Sequence, residues 1–382
     1  MKTRPNGCRS NDPIDRQRRE LLALAAALPA LAMVAALPAA GTPALLGCCF
    51  TPENKPAVAI VSAELTLLAL LPLPSRGHGI AISPDARRAV VFARRPGREA
   101  TIIDLESLRI VHSFSTPAER HLYGHGFFSP DGKTLYTTEN DFDRPGSVLA
   151  RYDATQAFQR LGEADTGGIG AHEAILLADG ETVAVANGGI ETHPDFPRAK
   201  LNIVEMAPSL AYLRRLDGHL LEQHRLPDRW HQVSLRHIAQ SADGAVWVGG
   251  QFEGTGSAPL IARHERGGAL QTVDAPGGET SALAGYVGSV AANENTVVFT
   301  SPRGGQTLGY DRVSAEMRLQ HTLADVCGAV RGRLGIALSS GTGELLWLNG
   351  GRRSFDLAWD NHLVAVNPTR VQLSNEGRRR TQ

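Results

Sequence analysis

A short pattern of residues recurs along the chain, and its period restricts the fold to very few architectures. Four copies open on a histidine among small residues and close in a polar turn with an aspartate. The pairs are His78 with Asp85, His125 with Asp131, His172 with Asp179, and His237 with Asp243. These aspartates are 46, 48 and 64 residues apart, and two degenerate copies follow, around Ser289 and Cys327. Such a period is typical of the blades of a β-propeller.

The rest of the chain has the composition of strands and turns. From about residue 57 onward, runs of Val, Ile and Leu are bounded by Gly, Pro, Asp and Asn, which predicts an all-β protein. We predict a seven-bladed β-propeller over residues 45–366, as a single closed domain. Its ring is expected to close by pairing of the N-terminal strand with the last blade. In that arrangement, the apolar residues 57–61 would complete the blade that contains residues 334–348.

Residues 1–44 differ from the repeats and predict an export signal. A polar, basic start is followed by the uncharged apolar residues 21–40 and then by small residues. Arg18 and Arg19 precede two leucines in the manner of a twin-arginine signal, and ordinary secretion is the alternative. We therefore expect a periplasmic protein with no membrane span after signal cleavage, and a disordered tail over residues 367–382.

Three cysteines remain in the predicted mature chain. An oxidising compartment permits one disulfide bond between them. Because the N-terminal segment is expected to close the ring near Cys327, we predict a Cys49–Cys327 disulfide, with Cys48 as the alternative partner. Unpaired buried thiols are the other possibility. Residues 45–48 also resemble a lipoprotein cleavage box, which leaves a lipid anchor at Cys48 as an alternative.

Charge and motifs exclude several classes of function. Lys plus Arg equals Asp plus Glu, at 39 each, so no excess of basic charge favours nucleic acid or an anionic membrane. The chain has no Gly-x-Ser-x-Gly elbow, phosphate-binding loop, His-Glu-x-x-His or Cys-x-x-Cys-His sequence. We therefore favour a binding protein over an enzyme.

Propeller geometry converts the repeat into positions in space. The polar turn joins the inner strand of a blade to the second strand, so the histidine that opens the inner strand lies at the opposite end, at a channel mouth. The loops after the second strands return to this same face, where binding residues often collect. The predicted ligand-binding residues are His78, Arg94, Arg95, His125, Glu139, Asn140, Asp141, His172, Asn187, Glu191, His193, His237, Gln251, Glu253 and Arg303.

The residue types at this mouth suggest two kinds of ligand. Imidazoles and carboxylates bind iron, copper and zinc at about 2 Å, so the compact set of His172, Glu191 and His193 is the candidate metal site, with iron as one possible ion. Arginines on the rim suggest an anion, since guanidinium groups suit carboxylates and phosphates. In the alternative interpretation, the histidines tie blades together and the arginines pair with acidic loop residues.

Many motifs in one order resemble the bacterial domain of unknown function 1513 family, over about residues 45–363. They include Arg76-Gly77-His78-Gly79, Tyr123-Gly124-His125-Gly126, Thr137-Thr138-Glu139-Asn140-Asp141, Ala186-Asn187-Gly188-Gly189-Ile190-Glu191-Thr192-His193-Pro194, Tyr286-Val287-Gly288-Ser289, Thr300-Ser301-Pro302-Arg303-Gly304-Gly305, Asp325-Val326-Cys327-Gly328 and Trp359-Asp360-Asn361-His362-Leu363. The resemblance implies an exported, seven-bladed YVTN-like propeller. It also implies a gene neighbourhood shared with imelysin-type, iron-regulated periplasmic proteins and a dihaem peroxidase-like protein. No activity is established for the family.

Together these features predict a periplasmic ligand-binding or protein-interaction propeller. We expect it to bind at the channel mouth and to serve iron uptake or its regulation, with an imelysin-type or haem peroxidase-like protein as its partner. The alternative is a metal-dependent hydrolase or oxidoreductase that uses the same mouth of histidines and carboxylates.

Overall fold

A computed structural model of the chain describes residues 41–196, 199–273 and 278–366. They form seven antiparallel sheets of four strands, arranged as the blades of a β-propeller, which confirms the predicted fold class. The inner strands of successive blades lie side by side around the central channel. Helix in these ranges is confined to three short 3₁₀ segments, Ile203–Glu205, Asp228–Trp230 and Glu279–Leu283, and none is long and apolar enough to cross a membrane.

The strands of the closing blade come from both ends of the described chain. Its outer part consists of β1 (Pro43–Phe50), β2 (Pro56–Ser62) and β3 (Leu67–Pro72). Six complete blades follow, each with its strands in chain order from the channel to the rim. They are β4 (Gly77–Ile82), β5 (Arg88–Ala93), β6 (Glu99–Asp104) and β7 (Arg109–Ser115); β8 (Arg120–Phe128), β9 (Thr134–Asp141), β10 (Gly146–Asp153) and β11 (Gln159–Asp165); β12 (Ala171–Leu176), β13 (Thr182–Asn187), β14 (Ser209–Arg214) and β15 (Leu220–His224); β16 (Val233–Gln240), β17 (Val246–Phe252), β18 (Ile261–His264) and β19 (Gln271–Thr272); β20 (Ser289–Ala292), β21 (Thr296–Ser301), β22 (Gln306–Asp311) and β23 (Met317–Thr322); and β24 (Val326–Gly332), β25 (Gly335–Ser340), β26 (Glu344–Trp347) and β27 (Arg352–Ser354). The last strand, β28 (Ala358–Ala365), is the inner strand of the closing blade.

The ring closes by pairing of the N-terminal strand with the last described strand, as predicted, but in a different blade from the expected one. The blade of residues 334–348 is complete with its own four strands, so the prediction that residues 57–61 would complete it is wrong. Instead β1 pairs with β28, for example Leu46 with Val364. The physical reason is that the N-terminal segment supplies three strands of one blade, and the missing inner strand can come only from the chain beyond β27.

The polar turns of the repeats are organised by their acidic or amide side chains. The hydroxyl of Ser83 donates to Asp85 Oδ1 at 2.6 Å. In a degenerate copy, Asn293 Oδ1 accepts two backbone N–H groups instead, at 2.8 and 2.9 Å, so an amide oxygen replaces the carboxylate. The residue after the aspartate has a left-handed backbone, with φ +69° at Gly132 and +56° at Ala86. These turns aim each second strand back toward the opposite face.

The hydrophobic core is divided among the interfaces between blades. One cluster joins Val90, Phe92 and Ile102 of one blade to Leu135 and Tyr152 of the next, and all five are buried. Burying a side chain of this size contributes about 1.5–3 kcal/mol. Because the described residues form seven such clusters, blade packing holds the inner strands rigidly around the channel.

The three described cysteines, Cys48, Cys49 and Cys327, are free, buried thiols, which corrects the predicted Cys49–Cys327 disulfide and its Cys48 alternative. Cys327 Sγ lies 3.4 and 3.2 Å from the backbone carbonyls of Trp359 and Asp360 on β28. That strand contacts both β24, which carries Cys327, and β1, which carries the other two cysteines. Burial raises the pKa of Cys49 and of Cys327 to about 12, so both remain protonated at neutral pH.

The predicted terminal segments fall mainly outside the described residues. Residues 1–40 of the export signal and the tail of residues 367–382 are not described. The structure does extend the propeller back to Pro43, two residues inside the predicted signal. Cys48 lies within β1, between β2 and β28, so a lipid anchor there would require cleavage inside a paired strand.

Candidate functional site

Five of the seven inner strands place a histidine in the central channel. They are His78 on β4, His125 on β8, His172 on β12, His237 on β16 and His362 on β28, and we call this set the histidine hub. The other two inner strands carry Ser289 and Cys327 at their start. The structure thus brings together the four histidines named from the repeat and adds a fifth.

Irregular pairing turns the hub side chains toward the channel. In β4, β8 and β12 the register with the second strand shifts at or beside the histidine, as in a β-bulge, which bends a strand and redirects a side chain. Gly124 makes one of these bends possible with φ +101°. A Cβ on Gly124 would lie 2.6 Å from the His78 ring, so the glycine also allows the two inner strands to approach.

The hub imidazoles form a closed circuit of neighbouring rings. Ring centroids are 4.6 Å apart for His362 and His78, 4.9 Å for His78 and His125, 5.4 Å for His125 and His172, 4.7 Å for His172 and His237, and 4.8 Å for His237 and His362. His125 also lies 4.6 Å from His362 across the circuit. Five side chains from strands far apart in the sequence therefore share one small volume.

One nitrogen of every hub ring is buried and has no hydrogen-bond partner among the described residues. These atoms are Nδ1 of His78 and Nε2 of His125, His172, His237 and His362. A buried polar atom without a partner costs about 1–3 kcal/mol, and native proteins contain few of them. Five such nitrogens in one cluster make the hub the candidate binding site.

Glu173, beside His172 on β12, contacts two hub rings through their other nitrogen. Its Oε2 lies 3.3 Å from His237 Nδ1, and its Oε1 lies 3.7 Å from His125 Nδ1. The backbone N–H of Ile238 donates to Glu173 Oε2 at 3.1 Å and holds the carboxylate in place. A carboxylate in this position keeps a proton on Nδ1 and leaves the Nε2 lone pair available.

Burial keeps the hub imidazoles neutral. Desolvation lowers the pKa of His125 to about 4 and that of His237 to about 3. It also lowers the pKa of His78, His172 and His362 well below the ordinary value, and neighbouring hub rings add to the effect. Metals bind the neutral form of imidazole, so no proton has to be displaced from these ligands at pH 7.

Two overlapping sets of hub nitrogens could each hold one metal ion. His78, His125 and His172 form one set, and His125, His237 and His362 form the other; within each, the ligand atoms lie within 4.8 Å of one another. A tetrahedral ion with bonds of about 2.0–2.1 Å brings its ligands to roughly 3.3 Å apart, so the rings must close by about 1.5 Å at most. His125 has one free nitrogen, which makes the two sets alternatives for a single ion.

A cavity of about 710 Å³ adjoins the hub, and we call it the vestibule. His78 and His172 form part of its wall, together with small residues. Four arginines also line it: Arg76, Arg94, Arg95 and Arg236. Neutral imidazoles and positive guanidinium groups therefore face the same space.

The vestibule arginines have few acidic partners. Arg76 holds Asp360 with two hydrogen bonds, at 2.5 and 2.8 Å, while Arg94 Nη1 is 3.6 Å from the same carboxylate. Arg236 lies 3.3 Å from Glu253, which also pairs with a lysine. Arg95 makes no ion pair with any described residue. Burial lowers the pKa of both Arg94 and Arg236.

Two predicted ligand residues, Glu139 and Asp141, lie inside a blade instead of at the mouth. They belong to β9, which is longer than the sequence suggests. Glu139 pairs with Arg160 at 2.9 Å, and Asp141 pairs with Arg120 at 2.9 Å. The alternative interpretation of an ion-pair network is therefore realised, although with different arginines from Arg94, Arg95 and Arg303.

The remaining polar residues of the predicted set support the loops around the vestibule. Asn140 accepts a hydrogen bond from Tyr123 at 2.8 Å, and Asn187 donates to the backbone of Thr166 at 2.9 Å. Gln251 is buried within β17, where it pairs with Ser234. Arg303 packs 5.0 Å from the ring centroid of Tyr286, outside the vestibule wall.

The predicted metal set of His172, Glu191 and His193 is not formed. His172 groups with two hub histidines, whereas His193 packs 5.4 Å from the Phe142 ring and faces Asp195 at 3.6 Å. Glu191 lies in the excursion between β13 and β14, where its backbone N–H donates to an asparagine at 2.7 Å. The start of this excursion is tied to the preceding blade, where Asn140 donates to the Thr192 carbonyl at 3.0 Å.

Sequence reasoning missed His362, Glu173 and Arg236. Glu173 and Arg236 are direct neighbours of repeat histidines, so their positions could have been found from the alternation of side chains along the inner strands. His362 lies on the last described strand and has no polar turn of the repeat type after it in the sequence. The signals for it were a histidine in an apolar strand and its place in the Trp359-Asp360-Asn361-His362-Leu363 motif.

The chain belongs to the family described as "Protein of unknown function (DUF1513)", which matches residues 71–366 and confirms the resemblance. No curated protein matches it in sequence. Among similar solved structures, Kuenenia stuttgartiensis hydrazine synthase is 12% identical, with a TM-score of 0.56, over 81% of this chain and 96% of that one. The periplasmic gluconolactonase of Pseudomonas aeruginosa is 16% identical, with a TM-score of 0.58, over 85% and 99%. A functionally unknown protein from Desulfotomaculum acetoxidans DSM 771 is 12% identical, with a TM-score of 0.59, over 85% and 99%. At these identities the likeness shows the fold alone.

Proposed function

We propose that this DUF1513 protein is a binding propeller that holds one first-row transition metal ion in the histidine hub. The observation that carries the proposal is a cluster of five packed imidazole rings, each of which has a buried nitrogen without a partner among the described residues. A seven-bladed propeller is consistent with a binding or interaction module, and its rigid inner strands suit a site that must hold several ligands in position.

The donor set selects the class of ion. Imidazole nitrogen suits zinc, copper, iron and nickel, whereas calcium and magnesium require oxygen ligands. The free ligand atoms of the hub are all nitrogens, and the one nearby carboxylate, Glu173, is engaged with the opposite nitrogens of two rings. The hub therefore favours a late transition metal over a hard cation.

Glu173 favours His125, His237 and His362 as the primary ligand set. In two of these three rings, His125 and His237, the Nδ1 atom faces the Glu173 carboxylate, and all three rings are buried. A metal ligand with its other nitrogen fixed in this way has a defined tautomer and a defined ring orientation. His78 and His172 then lie between this set and the vestibule.

A role in iron uptake or its regulation is the finer form of the proposal. It is supported by the compatibility of imidazole with iron and by the family resemblance. The periplasmic location, and an imelysin-type or haem peroxidase-like partner, rest on the same resemblance and on the sequence of residues 1–44. Cell fractionation tests the location, and capture by tagged full-length chain tests the partner.

A metal-dependent hydrolase or oxidoreductase is the second candidate. One observation favours it: the vestibule reaches His78 and His172, so an ion held by the set of His78, His125 and His172 would face a substrate-sized space. Turnover of an ester and lactone panel by metal-loaded protein, lost in the metal-stripped protein and in His125→Ala, would support this activity. Equal turnover in all three preparations would exclude the hub as its site.

The proposed function is tested by elemental analysis of the full chain. We expect one equivalent of a transition metal in the purified protein, or after loading with Zn²⁺, Cu²⁺ or Fe²⁺. The His125→Ala and His362→Ala variants should lose it, whereas His224→Ala, outside the hub, should retain it. Circular dichroism confirms folding of each variant. Failure of the wild-type protein to retain any of these ions would overturn the proposal.

A further inference from the structure

We propose that the vestibule binds a small organic anion with at least two acidic groups, held by Arg94, Arg95 and Arg236. The arginines and the size of the cavity are the grounds for this site, which does not require a metal ion in the hub. The hub selects a metal ion, whereas the arginine-lined wall selects an organic anion.

The charge of the wall is not balanced by the protein. Four guanidinium groups line the vestibule, and no aspartate or glutamate is among its lining residues. Asp360 forms ion pairs with both Arg76 and Arg94. Glu253 forms ion pairs with both Arg236 and Lys200. At least two positive charges are therefore left over at one cavity. Since the whole chain has equal numbers of basic and acidic residues, this excess is a local feature.

Some of the N–H groups of the vestibule arginines are also without a hydrogen-bond partner among the described residues. Arg94 Nη1 and Arg236 Nε are buried without a hydrogen-bond partner in the described part of the chain. Arg76 donates to both oxygens of Asp360, whereas Arg94 Nη1 lies 3.6 Å from that carboxylate, beyond hydrogen-bond distance. A guanidinium group with free N–H groups is suited to the paired oxygens of a carboxylate or phosphate ester.

The size of the vestibule favours an organic ligand over a bare inorganic ion. Its volume of about 710 Å³ lies within the range of sites for metabolites and drug-sized ligands. Gly170 and Gly188 also line it, and small residues allow a ligand to approach the backbone. Neutral His78 and His172 on the wall can donate or accept hydrogen bonds without opposing a negative ligand.

Calorimetric titration of metal-stripped, full-length protein tests the anion site. The probes are acetate, succinate and citrate, which carry one, two and three carboxylates, with inorganic phosphate as the small comparison. We expect succinate and citrate to bind more tightly than acetate or phosphate, with affinities that fall as salt is added.

Variants of the arginines identify the site. Arg94→Gln and Arg236→Gln should each weaken citrate binding about tenfold or more, and Arg94→Lys should restore it only in part because the planar fork is lost. Arg109→Gln, on the exposed outer strand β7, is the matched control and should bind as the wild type does.

Three results would overturn this inference: no binding of any carboxylate, equal binding of acetate and citrate, or citrate binding that is unchanged in both arginine variants. Metal analysis of the same preparations separates this site from the hub. Citrate binding to a chain that retains no metal would sustain the anion site while the metal proposal fails.

Discussion

Two clusters of histidine in this protein have similar ligand types and opposite surroundings. The first is the hub. The second, here called the outer cluster, consists of Glu222 and His224 on β15 with His264 on β18, whose ligand atoms also lie within 4.8 Å of one another. Distance alone would make both clusters candidate metal sites.

Their hydrogen bonds distinguish them. In the outer cluster, His264 Nδ1 contacts the Tyr212 hydroxyl at 2.7 Å and its Nε2 contacts a backbone carbonyl at 3.1 Å. Glu222 contacts His224 Nε2 at 3.1 Å and accepts from Arg266 Nε at 2.6 Å. Each of these lone pairs or protons is already used within the protein. The comparison teaches that free lone pairs, more than the proximity of ligand residues, mark a binding site.

The largest expected difference between the clusters is in metal affinity. The double variant His125→Ala/His362→Ala removes a ligand from each possible hub set and should abolish binding, a loss of at least about a hundredfold. The matched double variant His224→Ala/His264→Ala should change affinity less than about twofold. Competition titration with a chelating dye measures both. Equal losses in the two variants would show that free lone pairs do not distinguish the hub from the outer cluster.

The hub should also make stability depend on pH. The pKa of His125 is lowered to about 4 in the folded protein, below its value of about 6.5 in the unfolded chain. Between these values the unfolded chain binds the extra proton, so this contribution is complete above about pH 6.5 and is lost as the pH falls toward 4. We expect a loss on the order of 3 kcal/mol from this residue.

Urea unfolding of the metal-stripped protein between pH 4 and pH 7.5 measures this dependence. His125→Gln, which cannot take up the proton, should flatten the profile, and His219→Gln on the exposed turn before β15 serves as the control. A wild-type profile that is flat over this interval would contradict the burial of neutral hub imidazoles.

Loss of the Glu173 charge should weaken metal binding without abolishing it. Glu173→Gln keeps the size of the side chain but removes the charge that holds the protons on Nδ1 of His125 and His237. We expect the affinity to fall by about 10–100-fold while the number of bound ions stays at one. Glu222→Gln in the outer cluster is the matched change, and an equal effect of both would show that Glu173 does not act through the hub rings.

Removal of one imidazole should affect the free energy of unfolding in opposite ways at the two clusters. His264→Ala breaks the contacts with Tyr212 and a backbone carbonyl and should cost about 1–3 kcal/mol in the metal-stripped protein. His362→Leu removes a buried nitrogen that lacks a partner among described residues, and no hydrogen bond of this ring is lost, so it should cost less or stabilise the protein. Denaturant midpoints compare the two, and a larger loss at His362 would indicate a structural role for that ring.

The sequence predicted the fold more completely than the site. The period of the repeat identified the propeller and placed four hub histidines on inner strands. The loop residues were less predictable because β9 and β17 extend further than their apolar cores suggest, which puts Glu139 and Gln251 inside strands. Along a strand, side chains alternate between faces, so an error of this kind moves a residue away from the predicted surface.

The sequence alone determined the propeller architecture, the strand on which each repeat histidine lies and the polar turns between strands. These features are local, because they depend on periods and turn residues within one blade. Only the tertiary structure decided that β28 closes the ring and carries His362 to within 4.6 Å of His78. It also decided which nitrogens find partners and which do not. That outcome depends on contacts between strands nearly three hundred residues apart, which no local pattern specifies.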